Sequence, residues 1–513
     1  MGESYHEPLS ALDAWFLYAE RPEAPLHIGG VYIFEGESEV EGGRGALGIA
    51  ETVAERLHLV PRYRQKVMWT PFNLTHPVWV DDPDFDLSYH VRRAALPKPG
   101  DDAALSEYAA RVFARQLDLR KPLWELYVIE GLEGGRVAMI NKVHHSMVDG
   151  ISTVDIGTLL FDVDPKGSGI TAPRQRWRPR PAPDPRALVV ETLRSLNPLP
   201  PLRNLSPARV RSVAESVLSS PVAGTASLAF ALVKPNRQLF FNRRIGPNRR
   251  VGHFALPLQL FKEVKNSLGG SVNDVVLAVV AGGLRRWLAE RGEDIPDTIR
   301  IFCPVSVRDA DFRYKLGNKV SGMVVELPLG SMPPLDRLAR ISARTGDLKR
   351  SRQAIAAQNL SELTDWAPAT LHALGGRVLT AQPAAWVGQA LVNLVVTNVP
   401  GPQVPFYTGG ARMLEVWPLV PAYHSLGLNI ALFSYDGGMQ WGLMADRDLV
   451  PDLQRFVAAL LATAREYEKL AGRLAGPALK LDSRPAASGS SSRGRRRASR
   501  PRARARGLDK PQG

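Results

Sequence analysis

The chain has a single cysteine in 513 residues, so no intramolecular disulfide can form and a reducing compartment is indicated. Cys303 lies in the apolar run Ile301-Phe302-Cys303-Pro304-Val305, which reads as a buried strand and not as the setting of a nucleophilic thiol. No uninterrupted apolar stretch approaches the ~18 residues of a membrane span. Met1 to Ser10 is polar and no apolar segment follows it, so no signal peptide is expected. These absences point to a soluble or peripheral protein. The G-x-S-x-G turn that exposes a nucleophilic serine is missing. Metal-ligand spacing and a Walker-type phosphate loop are missing too.

What is present suits a globular chain. The hydrophobic fraction is 44% and the charged fraction 23%, and the length calls for two domains plus connecting material. The formal charge of +14 is unevenly spread. Pro173 to Arg250 carries fifteen basic and three acidic residues, +12, and Leu481 to Gly513 carries +8, which leaves −6 on everything else. Basic character therefore belongs to a linker and a tail. The linker opens with prolines interleaved with Arg174, Arg176, Arg178 and Arg180 and should be extended. Farther on, Val210, Val213, Val217 and Leu218 share a helical face. The apolar run Pro221 to Val233 suits either a membrane interface or packing on the protein's own surface. The tail is poor in apolar residues and should be disordered. It reads first as solubilising, then as a contact for anionic lipid. No specific nucleic-acid partner is expected.

The densest local signal is Asn141-Lys142-Val143-His144-His145-Ser146-Met147-Val148-Asp149-Gly150. Arg136 to Val143 reads as a strand, and Ile151 to Phe161 as a helix. Adjacent side chains on an extended segment point to opposite faces, so the two imidazoles are poorly placed to share one metal ion. One can enter a cleft while the other turns into the core. Histidine accepts a proton near neutral pH, and an aspartate four residues on can hold the loop. A strand-end histidine pair can also be simple packing, and Asp-Gly can be simple turn chemistry. The complete H-H-x-x-x-D-G pattern favours a general base.

That pattern resembles the active-site motif of the CoA-dependent acyltransferase superfamily. Within it, the chain is most similar to the bacterial wax ester synthase/diacylglycerol acyltransferase family. The supporting stretches are Pro8 to Phe16, His27-Ile28-Gly29-Gly30, Asp84 to Arg92, Pro122-Leu123-Trp124-Glu125, Ser271-Val272-Asn273-Asp274, Pro304 to Arg308, and Leu316-Gly317-Asn318. The resemblance runs from about Pro8 to about Tyr467 and leaves out the linker and the tail.

The resemblance implies an α/β fold of two chloramphenicol-acetyltransferase-like domains with the active-site channel between them. The expected division is residues 1–172, a linker at 173–250 with an amphipathic helix, residues 251–475, and a disordered tail at 476–513. Strand and helix signals alternate in both halves, with a hairpin expected across Asp436-Gly437-Gly438 and a long helix over Asn273 to Ala289. The implied reaction is acyl transfer from long-chain acyl-CoA to the hydroxyl of diacylglycerol or of a fatty alcohol. His145 is carried over as the base, His144 as an orienting or core residue, Asp149 as support for the loop, and Gly150 as the turn residue. Asn273 and Asp274 open a helix, where they can either cap it or face the channel as oxyanion donors. Pro122-Leu123-Trp124 reads as structural. No cofactor is implied beyond acyl-CoA as co-substrate. An anionic membrane or lipid-droplet surface is the expected partner, and the expected location is cytoplasmic and peripheral. Two other readings stay open: a condensation-type enzyme fed by a carrier protein, and a non-catalytic lipid-surface protein.

Overall fold

The structure, a computed structural model, describes residues 5–36, 41–71, 76–147, 157, 159–184, 186–188, 190, 236–306, 320–350 and 392–475. The expected amphipathic helix of the linker and the basic tail lie outside the described residues, as do Asp149 and Gly150.

Two six-stranded sheets form the frame, and their central strands are buried on both faces. The first contains β2 (His27–Phe34), β5 (Val91–Ala95), β6 (Trp124–Glu130), β7 (Val137–His144), β12 (Tyr407–Thr408) and β13 (Ala411–Leu419), in the order β12-β13-β2-β7-β6-β5. Helices α1 (Ala11–Ala19) and α2 (Ile49–Arg56) contribute to the core on one face. The one-turn helix α3 (Leu87–His90) leads into β5, and helix α4 (Asp102–Ala114) covers the other face. A small sheet of β1 (Glu7–Pro8), β4 (Val78–Asp81) and β3 (Gln65–Met68) stands beside it.

The second sheet holds β8 (Arg249–Pro257), β9 (Thr298–Ser306), β10 (Val320–Pro328), β11 (Leu394–Val399), β14 (Leu428–Tyr435) and β15 (Gly438–Asp446). Its order is β10-β9-β11-β14-β15-β8. Helices α5 (Leu258–Leu268), α6 (Val272–Glu290) and α8 (Leu453–Ala475) pack on it around fully buried Trp287, Trp441 and Phe456. Cys303 is buried there, and desolvation pushes its thiol up to about 12. The β14–β15 hairpin turns through Asp436 and Gly437, both at positive φ (43° and 78°), the backbone that a tight hairpin of this twist requires.

The strand pairing crosses the division expected at residue 251. β13 joins the first sheet by pairing with β2 from Met413↔Phe34 to Leu419↔Gly29, so that sheet is completed by a segment more than 370 residues away in sequence. The two halves are tied in other ways as well. His253 of β8 stacks on Trp417 of β13 at 3.6 Å between ring centroids, and the Arg249 guanidinium donates to the Glu23 carbonyl at 2.6 Å. The start of the linker is also held: Arg180 pairs with Asp81 at 2.9 Å, and Arg64 lies over the Trp177 ring.

Candidate active site

The two motif histidines sit at the end of β7 and part as strand alternation predicts. His144 is completely buried, whereas His145, the first residue of a 3₁₀ turn (His145–Met147), keeps partial exposure. Its backbone N–H donates to the Leu26 carbonyl at 2.9 Å. Its ring stacks on Phe16 of α1 at 3.8 Å between centroids and 12° between planes. Desolvation pushes its pKa down to about 4, with the neighbouring His144 adding a little and its own backbone carbonyl opposing. The ring is therefore neutral at pH 7 and able to accept a proton.

His144 faces the opposite way. Its Nδ1 is 2.7 Å from Ser146 Oγ and accepts from the Ser146 backbone N–H at 3.1 Å. Behind it lies a buried polar cluster. His27, its cross-strand partner, is held neutral by burial, its pKa lowered to about 3. The Leu117 N–H donates to His27 Nε2 at 3.3 Å. Fully buried Lys142 donates to the Arg115 carbonyl at 2.6 Å and to Glu125 at 3.4 Å, and desolvation lowers its pKa to about 8. Glu20, the C-cap of α1, reaches His27 and His144 with one carboxylate oxygen, at 3.3 and 3.5 Å. Close approach of β2 to β7 makes this cluster compact. At Gly29 a Cβ would lie 1.8 Å from the Asn141 carbonyl oxygen, which explains the glycine after His27-Ile28.

A small cavity is lined by Val53, Tyr63, Trp124, Leu126, Asn141, Leu159 and Leu160. Trp124 is 2% exposed, donates from its indole N–H to the Tyr63 carbonyl at 2.8 Å and stacks on His90. It is a packing residue, as the sequence suggested.

Asn273 and Asp274 lie in the first turn of α6. Asp274 completes a capping box at α6. Its Oδ2 accepts from the Ser271 N–H and hydroxyl at 2.8 Å, and its Oδ1 from the Thr345 hydroxyl at 2.7 Å. That carboxylate is buried and engaged in capping, one of the two readings the sequence offered. Asn273, half-buried, makes no side-chain hydrogen bond among the described residues. None joins either residue to His144 or His145. Sequence reasoning missed Glu20 and Phe16. Both lie in or beside the Pro8–Phe16 stretch already singled out, but only their packing shows what they touch. Among the described residues no group of three or more His, Cys, Asp or Glu side chains could hold a metal ion.

A strand-end histidine pair in a two-sheet α/β fold does not fix the reaction by itself. The comparisons place the chain among acyltransferases. The model described as "Wax ester synthase/diacylglycerol acyltransferase catalytic domain" matches residues 9–276, and "WS/DGAT C-terminal domain" matches 316–466. A probable diacylglycerol O-acyltransferase of Mycobacterium tuberculosis, tgs2, is 32% identical over 468 residues, covering 90% of this chain and 98% of the relative. A second from that organism, tgs1, is 31% identical over 450 residues, covering 86% and 92%. The solved wax ester synthase/diacylglycerol acyltransferase of Marinobacter aquaeolei VT8 superposes with a TM-score of 0.64 at 26% identity, covering 91% of this chain and all of that one. The first condensation domain of the calcium-dependent antibiotic synthetase shares the fold, with a TM-score of 0.57 at 16% identity and coverage of 93% and 98%. The chain belongs to the wax ester synthase/diacylglycerol acyltransferase family.

Proposed function

We propose that the protein transfers a long-chain acyl group from acyl-CoA to the hydroxyl of diacylglycerol, with His145 as general base and no covalent intermediate. As the acceptor oxygen attacks the thioester carbonyl, His145 takes the hydroxyl proton. Collapse of the tetrahedral intermediate expels the CoA thiolate, which receives that proton from the imidazolium. The observation that carries the reading is the neutral His145 ring, partly exposed at the strand end and held flat against Phe16. Cys303, the one cysteine, is too buried and too weakly acidic to be a nucleophile. The mycobacterial relatives are named as probable diacylglycerol O-acyltransferases, which favours diacylglycerol as acceptor. The Marinobacter name adds long-chain alcohols as a second acceptor class. Asn273 is the side chain we propose for the oxyanion, and Asp149 with Gly150 for support of the motif loop.

The test is purified protein with labelled palmitoyl-CoA and diacylglycerol, hexadecanol or no acceptor. Labelled triacylglycerol is expected, without a burst of CoA release when acceptor is left out. His145→Ala should lower turnover by ~10²–10⁴ with an unchanged melting curve. Retention of more than a tenth of the activity would remove His145 from the role of base, and a stoichiometric burst would establish a covalent intermediate.

We also propose peripheral attachment to an anionic membrane or lipid-droplet surface through the basic linker and tail. Deleting residues 483–513 should leave turnover of detergent-dispersed substrate unchanged. It should weaken binding to anionic liposomes at low salt, by about 1 kcal/mol for each basic residue that reaches the surface. Equal binding by both proteins would reject a role for the tail.

A further inference from the structure

Glu20 has no part in the proton transfer described above, yet its position is unusual. The side chain is 2% exposed, and burying a carboxylate is costly unless donors compensate it. Three groups gather at one oxygen. The Leu26 N–H donates to Oε1 at 3.1 Å, His27 Nε2 lies 3.3 Å away and His144 Nε2 lies 3.5 Å away. Burial pushes the carboxyl up, but its surroundings, His144 foremost, outweigh that and hold the group ionised; His27 Nε2 already accepts the Leu117 N–H and presents no hydrogen to it.

The proton on His144 can be placed from its other nitrogen. Because the Ser146 N–H donates to Nδ1, Nδ1 must present a lone pair, so the neutral ring carries its hydrogen on Nε2, facing Glu20. The opposite tautomer would set two N–H groups against each other. Glu20 also grips the Leu26 peptide on its nitrogen side, and the carbonyl of Leu26 accepts the His145 N–H at 2.9 Å. A single carboxylate thus restrains the residue before the base and the backbone partner of the base. Phe16, one helical turn before Glu20 and stacked on the His145 ring, belongs to the same helix.

We propose that Glu20 is a positioning residue for His145: through His144 Nε2–H and the Leu26 peptide, its buried carboxylate fixes the backbone from which the base projects. The proposal rests on the reading of His145 as base. Glutamine at this place keeps the volume and can still turn an oxygen toward the Leu26 N–H, but it removes the negative charge that strengthens the contact with His144 Nε2–H. Glu20→Gln should therefore lower kcat at least tenfold while KM for acyl-CoA and for diacylglycerol stays within threefold. A contact acting through His144 is not additive with its loss, so Glu20→Gln/His144→Gln should fall no more than threefold below the worse single variant.

The experiment measures kcat and KM for both single variants, the double variant and His145→Ala, with thermal melting of each. A kcat for Glu20→Gln within twofold of wild type overturns the proposal. A loss confined to KM, or multiplicative losses in the double variant, overturns it as well. His145→Ala separates the two levels. An active His145→Ala removes the base reading itself, whereas an inactive His145→Ala beside a normal Glu20→Gln removes only the positioning role. If Glu20→Gln fails to fold, Glu20→Asp is read in its place. The shorter carboxylate should lower kcat at constant KM, and an unchanged kcat would refute the proposal.

Discussion

At His145, desolvation and the stacked Phe16 ring act on the same imidazole. Its pKa near 4 lies well below the ordinary 6.5, so the base is fully deprotonated at neutral pH. The acid limb of kcat/KM should fall near pH 4, with activity flat from about pH 6 to 8. A limb centred near 6.5 would mean that the ring is hydrated when it reacts. His27, lowered to about 3, adds a stability consequence with the same sign. In the unfolded chain both rings bind protons as the pH falls through 6.5, while in the folded chain they do not. Stability from these groups is therefore complete above pH 6.5 and lost progressively as the pH falls, down to about 4 for His145 and about 3 for His27. Replacing His27 with Asn should flatten the decline of melting temperature over that interval. An equally steep decline in the variant would show that other groups carry it.

Among the elements, α6 shows most clearly how a motif residue can serve the fold. Asp274 caps the helix whose apolar residues fill the second core. It also reaches Thr345 of α7 (Pro334–Arg350), so its loss should cost stability before it costs chemistry. Asp274→Ala should destabilise by about 1–2 kcal/mol, the usual worth of a helix cap and a buried hydrogen bond. Turnover per folded molecule should stay within threefold of wild type. A tenfold loss of kcat at an unchanged melting temperature would return Asp274 to the reaction. Helix α1 has a different task, since its first turns enter the core and its end supplies Phe16 and Glu20 to the histidines.

For the whole molecule, β13 is decisive. Without it β2 becomes a bare sheet edge, rich in apolar residues and prone to pair with other chains. A fragment of residues 1–250 should therefore aggregate or stay unfolded, and co-expression with residues 251–475 should restore a soluble complex. A monomeric, cooperatively melting 1–250 fragment would show that the first sheet closes without its distant strand. The contacts of Arg249 with Glu23 and of His253 with Trp417 favour one cooperative unit over two independent halves.

Much of the local structure was legible because it is encoded within a few residues. A short apolar run marked β7, turn chemistry marked the Asp436-Gly437 hairpin that joins β14 to β15, and the stretch Asn273 to Ala289 marked α6. The opposite orientation of His144 and His145 followed from the strand period alone. The capping role of Asp274 was one of two readings that the sequence left open, and its partner Thr345 lies seventy-one positions away. Other features depended on residues far apart in the chain. The strand Ala411–Leu419 looks like any short apolar strand, and its membership in the first sheet depends on which edge is free after folding. Glu20 looks like an ordinary surface acid at a helix end, and only the convergence of Leu26, His27 and His144 makes it buried. By itself the sequence determined the family motif, the strand-end histidines and the concentration of positive charge in linker and tail, because each is a matter of residue type and short spacing. Tertiary structure alone decided which distant strand closes the first sheet and which carboxylate stands behind the histidines. Both are set by burial, and burial is a property of the assembled chain.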